Sequence, residues 1–322
     1  MGRQHPEPAA PGSKRQATRP KTRVGYGRPS TAMRTSLVAL IIAATPVAAE
    51  LAFEQTSHFV WDRPEDYFGG WSAIEILDDG NSFIAIGDNS QIYEGRLERQ
   101  GKAIVGVSRK PIGALVDTDG TAFFQKEIEH IGDSEGLAAL DTGRFAVSFE
   151  RFPRVLIYGE TGLPTRIELP REAIGLAENG GVEALAVDTE GRLIAIPETI
   201  PKGGVGFPVW RQTPDGWETL GHLVRSQGFR PVGADIGPEG RLYVLERAFH
   251  MVGFQSRIRA FSLEDFDPSG QLIWTTPLGA FDNLEGLSVW KDSEGALRFT
   301  MISDDNNLVI QETQIIEFRL TQ

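Results

Sequence analysis

Asn179-Gly-Gly-Val-Glu183-Ala-Leu-Ala-Val187-Asp-Thr-Glu-Gly191-Arg-Leu193-Ile-Ala-Ile-Pro197 decides the reading of the chain. One acid precedes a short apolar run. An Asp/Gly turn follows, and then a second, more continuous apolar strand, which is a β-hairpin pattern. Phe207–Gln212 and Trp217–Leu223, on either side of Pro214-Asp215-Gly216, supply two more strands. The segment therefore reads as one four-stranded unit.

The same pattern recurs at Ser72-Ala-Ile-Glu75, Asp133-Ser-Glu135-Gly-Leu-Ala, Gly233-Ala-Asp235-Ile and Asn283-Leu-Glu285-Gly-Leu-Ser. The five acids stand 60, 48, 52 and 50 residues apart. Each unit turns at a corner that carries an acid and ends at a glycine: Gly80, Gly143, Gly191, Gly240 or Gly295. Repeats of about 40–50 residues with several strands apiece predict propeller blades. We count five, with residues 109–132 long enough to hold a sixth. The last repeat reaches only three strands, ending at Ile315–Leu320; Leu51–Gln55 is expected to supply the fourth and close the ring, hiding edges that would otherwise pair with other chains. The expected fold is all-β, a single propeller domain over residues 50–322.

Residues 1–49 read differently. They carry eight basic residues and one acid, an apolar run from Leu37 to Ala44, and Val47-Ala48-Ala49 with small residues where signal peptidase needs them. The run is too short to span a bilayer, which takes about 20 apolar residues. Cleavage is expected after Ala49, leaving no membrane anchor in a periplasmic or secreted protein. Met33-Arg34-Thr35-Ser36 would itself open an ordinary signal, so residues 1–32 are either translated or upstream of the true start. The remaining chain holds 24 basic and 43 acidic residues, a balance of −19. Such a charge argues against a nucleic-acid partner. With no Cys among the 322 residues, disulfides, thiolate nucleophiles and cysteine metal sites are excluded.

First strands of propeller blades line the central channel, so Glu75, Glu135, Glu183, Asp235 and Glu285 are expected to form one ring of carboxylates. Crowded like charges call for a cation. Oxygen donors in irregular geometry suit Ca²⁺. Structural capping of strand ends is the alternative for these acids. A second polar set stands where the second strands end: Asp88-Asn89, Glu150-Arg151, Glu198, Glu246-Arg247 and Asp304-Asp305-Asn306. From it we take Arg151, Arg247 and Asp304, with Glu135, as candidate catalytic residues. Glu150, Glu198, Glu246 and Asn306 are candidate substrate contacts. Gly132-Asp-Ser134-Glu-Gly136 spells the serine-hydrolase elbow, but a strand follows where the elbow needs a helix; Ser134 is therefore expected to be a packing residue. His130 and His250 are the histidines nearest the repeat faces.

At Asp133-Ser-Glu135-Gly-Leu-Ala, Asn179-Gly-Gly-Val-Glu183-Ala-Leu-Ala, Asn283-Leu-Glu285-Gly-Leu-Ser and Ile302-Ser-Asp304-Asp305-Asn306 the chain resembles the bacterial "esterase-like activity of phytase" family. The likeness runs from about Trp71 to Leu320. It implies an exported β-propeller that hydrolyses phosphate or other esters, with a small anionic ester or metal-bound ligand as partner. The calcium-dependent propeller phytases carry an Asp-Asp-Pro-Ala signature and a Lys/Arg-rich cradle; neither occurs here. The expected function is a Ca²⁺-dependent ester or phosphoester hydrolase. A non-catalytic binding propeller and a lactonase-type metal hydrolase are the alternatives.

Overall fold

Every repeat folds into a four-stranded antiparallel sheet, and five such sheets stand around one axis as a β-propeller. The computed structural model describes residues 52–321 apart from Asp66, Asp78, Thr142, Glu160 and residues 177–179. The expected signal segment and its cleavage point lie outside the described residues. Among the described residues there is no α-helix, only two short 3₁₀ turns.

The described chain opens with β1 (Ala52–Val60). Blade one holds β2 (Trp71–Ile76), β3 (Ser82–Gly87), β4 (Gln91–Gln100) and β5 (Ala103–Val107), with β6 (Gly113–Ala114) on the same edge of β4. Blade two holds β7 (Ser134–Ala139), β8 (Phe145–Phe149), β9 (Arg154–Tyr158) and β10 (Thr165–Ile167). Blade three holds β11 (Val182–Val187), β12 (Leu193–Pro197), β13 (Phe207–Thr213) and β14 (Gly216–Leu223). Blade four holds β15 (Arg230–Ile236), β16 (Leu242–His250), β17 (Gly253–Phe261) and β18 (Gln271–Thr275). Blade five holds β19 (Asn283–Lys291), β20 (Leu297–Asp304) and β21 (Gln314–Thr321), and β1 completes it by pairing antiparallel with β21. The N-terminal strand thus closes the ring as expected, reaching Val60 and not stopping at Gln55.

Residues 109–132 are not a sixth blade. They carry β6, a Val116–Ala122 bridge and one 3₁₀ turn, Phe123–Gln125. This insertion lies between blades one and two, and its Leu115 and Phe123 are buried in their shared core.

Burial falls from the axis outward. The inner strand β2 is buried throughout, whereas β4 alternates and β18 is largely exposed. Five apolar clusters result, one between each pair of adjacent blades. A propeller packs face to face, so these inter-blade layers are its core. Corner glycines Gly80, Gly143, Gly191, Gly240 and Gly295 all have φ between 69° and 82°, the left-handed region that turns of this kind require. All of these corners lie at the opposite face from the chemistry described next.

A carboxylate-rich mouth at the axis

The antiparallel ladder between inner and second strands breaks at the same place in every blade. The register shifts between Trp71 and Ala73, Ser134 and Leu137, Val182 and Ala184, Pro231 and Gly233, and Leu284 and Gly286. A bulge of this kind frees one residue from the ladder and re-aims it. The residues at that place are Ser72, Glu135, Glu183, Val232 and Glu285. The structurally equivalent positions therefore hold three acids, not five.

This corrects the single ring of carboxylates expected from sequence. Glu75 and Asp235 stand three residues further along their strands, about 10 Å at a strand's rise, and form a separate pair towards the other end of the channel. There Glu75 accepts from the Ser288 hydroxyl (2.9 Å) and the Ala139 N–H (3.3 Å), and Asp235 accepts from the Val289 and Ile236 N–H groups (2.5 and 2.7 Å). Burial, and then the Asp235 charge, push Glu75 well above the usual carboxylate range; burial pushes Asp235 up to about 7. Between the two tiers the inner strands close on a void of about 10 Å³, flanked by Ala73, Leu137, Leu185 and Leu287.

That closeness explains the residue following each bulge: Ala73, Gly136, Ala184, Gly233 and Gly286. A Cβ on Gly286 would stand 2.8 Å from Ala73 Cα and Ile74 N, and one on Gly136 would stand 2.8 Å from the Glu183 carbonyl oxygen. Five inner strands around so narrow an axis leave room only for small residues.

At the mouth, the second strands bring a further layer. The shared register makes Asp88, Glu150, Glu198, Arg247 and Asp304 equivalent, each one residue past the second-strand partner of the position just before the bulge. Four acids and one cation thus sit above Glu135, Glu183 and Glu285. Burial, and then the neighbouring charges, raise most of them. Glu135 is pushed well above the carboxylate range by burial and then by Glu183 and Glu285; Glu183 is pushed the same way by burial, Glu198 and Glu285. Asp304 rises to about 8 through burial and Glu285, Glu150 to about 7 through burial and Asp133, and Asp88 to about 6 through burial and Asp133. Burial raises Glu198 against the pull of Arg247 and Arg230. Burial lowers Arg247, but Glu285, Glu183 and Glu198 more than offset it.

One group stands out. Asp133, Glu135 and Glu150 each offer a carboxylate oxygen within 4.8 Å of the others. Asp133 precedes the strand and was not singled out from sequence, because its equivalents (Gly70, Gly181, Arg230 and Asn283) share no chemistry with it. Arg151 lies beside it, with Nε 3.3 Å from Asp133 Oδ2.

Other expected site residues are placed elsewhere. Glu246 is fully buried inside blade four, clamped by Arg257 (2.8 Å) and Arg259 (2.6 Å), and so is a core ion pair and not a mouth residue. Its register partner is Pro231, one step short of the mouth layer. Asn306 turns outward to Gln311 (3.1 Å) at the rim. Asp305 latches blade five to blade one by accepting from Gly70 N–H (3.0 Å) and the Thr313 hydroxyl (3.0 Å). Arg247 donates to Glu285 and to Asn283 (2.6 Å). Ser134 has 0% exposure and donates to the Gly87 carbonyl (2.6 Å), tying blade two to blade one. His130 and His250 are exposed.

Residues 66–307 match the family model described as "Phytase-like: Esterase-like activity of phytase". No curated protein matches the chain. Among solved structures the chain is similar to a PQQ-bound aldose sugar dehydrogenase from Streptomyces coelicolor, with 12% identity over 85% of this chain and 99% of that one and a TM-score of 0.48. It is also similar to a gluconolactonase from Xanthomonas campestris, with 11% identity over 74% and 69% and a TM-score of 0.42.

Proposed function

The chain belongs to the phytase-like, "esterase-like activity of phytase" family, and on that footing we propose that it is an exported, Ca²⁺-assisted ester hydrolase working at the carboxylate mouth. The observation carrying this reading is the convergence of Asp133, Glu135 and Glu150 within 4.8 Å. Three hard oxygen donors, two of them (Glu135 and Glu150) raised by burial and then by neighbouring acids, fit Ca²⁺ in charge and chemistry. Bound there, the ion would polarise the ester's carbonyl or phosphoryl oxygen and acidify a water.

The chain's own groups do the rest. Asp304, raised to about 8, holds a proton at neutral pH and can donate it to a leaving oxygen. Asp88, raised only to about 6, is ionised there and can take a proton from water. Arg151, partly exposed beside Asp133, offers donors to an anionic or developing oxyanion group. Glu183 and Glu198, both raised by burial, complete the acid layer between these groups. Export to the periplasm or beyond rests on the basic segment, apolar run and Val47-Ala48-Ala49 of the first 49 residues.

The test is metal analysis of the purified protein together with turnover of p-nitrophenyl acetate and p-nitrophenyl phosphate, with added calcium and with EDTA. Calcium-dependent turnover of either is expected. No turnover of either ester under any metal condition would sink the reading and leave a binding propeller.

A further inference from the structure

The insertion between blades one and two builds a wall beside the carboxylate triad. It frames an open pocket of about 430 Å³, with Asp88 and Asp133 on the mouth side and Phe124, Ile128, His130 and Ile131, beside Lys126 and Glu129, on the outer side. Small-molecule sites fall in this size range.

The wall is held in place. Phe123 is buried in the inter-blade core, 5.0 Å from the Phe149 ring. Lys126 Nζ pairs with Asp117 and Asp119, both at 2.8 Å. The Ser90 hydroxyl donates to the Gly132 carbonyl. His130 takes φ 56°, which a non-glycine residue adopts only where its surroundings enforce it. Against this fixed frame Phe124 is 71% exposed and Ile128 53% exposed. Neither contributes to the core, yet both face a cavity shared with the triad residue Asp133.

Among the described residues lining this pocket the one ammonium, Lys126, is taken up by Asp117 and Asp119, so the lining holds no spare cation for a phosphate group.

We infer that the ester accepted at this site carries an uncharged apolar group, an aryl ring or short acyl chain, seated against Phe124 and Ile128. This rests on the ester-hydrolase reading for its chemistry but not for its binding. Myo-inositol hexakisphosphate carries no such group and offers nothing for Phe124 and Ile128 to hold.

Two measurements test it. First, the intrinsic fluorescence of 2-naphthol, neutral at pH 7, is titrated against wild type, the double variant Phe124→Ser/Ile128→Ser, and Met251→Ser, which removes an exposed apolar side chain lining a different pocket, at the β16–β17 turn of blade four. Both altered residues of the double variant are exposed, so its fold should hold, as far-UV circular dichroism will check. Binding at least fivefold weaker in the double variant alone is expected. Unchanged binding, or equal loss in Met251→Ser, overturns the inference. Second, KM for p-nitrophenyl butyrate should rise at least fivefold in the double variant with kcat within twofold. Turnover of inositol hexakisphosphate faster than of the aryl ester would also overturn it. Naphthol binding at this wall without turnover of any ester would leave the pocket standing and remove the hydrolase reading; ester turnover indifferent to the double substitution would do the reverse.

Discussion

Arg247 of the fourth blade donates to the Glu285 carboxylate on the inner strand of the fifth, so the lone cation of the mouth layer binds two blades together. Its Nη2 also lies 3.9 Å from Glu198. Arg247→Ala strands a largely buried carboxylate. Breaking a buried pair costs about 3 kcal/mol, so thermal unfolding should move down by roughly 6–12 °C, taking about 2–4 °C per kcal/mol for a domain of this size. Turnover should fall tenfold or more. Differential scanning fluorimetry beside the esterase assay checks both; an unchanged melting midpoint would mean that the pair contributes nothing.

Calcium should stabilise the folded protein, because an ion bound only by that state shifts unfolding by mass action. At a hundred times its dissociation constant the gain is about 2.7 kcal/mol. The response should be lost in Glu135→Gln/Glu150→Gln and kept in Glu75→Gln, since Glu75 belongs to the lower pair. If melting in calcium and in EDTA coincide for wild type, the triad holds no metal.

Ser134→Ala separates packing from chemistry. Loss of the buried hydrogen bond to Gly87 should cost about 1 kcal/mol in urea unfolding. Esterase activity should stay within twofold. Abolished activity in a folded variant would restore Ser134 as a nucleophile.

The lower pair makes stability depend on pH. Unfolded, Asp and Glu titrate near 4; folded, Asp235 titrates at about 7 and Glu75 is also raised. Between these values the folded state binds more protons, so stability is greatest at acid pH and is lost as pH rises through about 7. Glu75→Gln keeps an acceptor for the Ala139 N–H and removes one of the charges. Its melting midpoint should fall less between pH 5 and pH 8 than that of wild type, both measured in calcium. Parallel curves for the two proteins would refute the coupling.

Gly286→Ala should be costly although its backbone is ordinary. The added methyl meets the backbone of Ala73 and Ile74 at 2.8 Å, across a blade boundary that cannot yield locally. Overpacking of this kind costs about 2–3 kcal/mol, readable as a lower urea midpoint. A neutral substitution would mean that the inner ring is wider than it looks.

The blades were legible in the sequence because their corners are chemical: an acid, a turn and a glycine at φ near 80° leave a clear trace. The strand limits around Leu193–Pro197 and Phe207 followed from it. The site was legible only in part. Aligning repeats on their acids matched Glu75 with Glu135, whereas the bulge matches Ser72 with Glu135, a difference of three residues that carries a side chain to another tier of the channel. The better marker was the small residue at Ala73, Gly136, Ala184, Gly233 and Gly286, which answers to crowding at the axis. Glu246 misled because a mouth acid and an acid inside a blade differ by one residue along β16, and alternation reverses the facing. Phe124 and Ile128 left no repeat signal at all, since insertions have no counterpart in other blades.

The Thr56 hydroxyl reaches the Glu317 carbonyl across 261 residues of chain. Contacts of such separation are slow to form, because a large loop must close before they return anything. Zipping β1 onto β21 is thus a natural final step of folding, after the other four blades have assembled. Until then β21 presents an unpaired edge that the β1 of another molecule fits equally well. Refolding at high concentration should therefore trap dimers that exchange this strand, and dilution should free monomers.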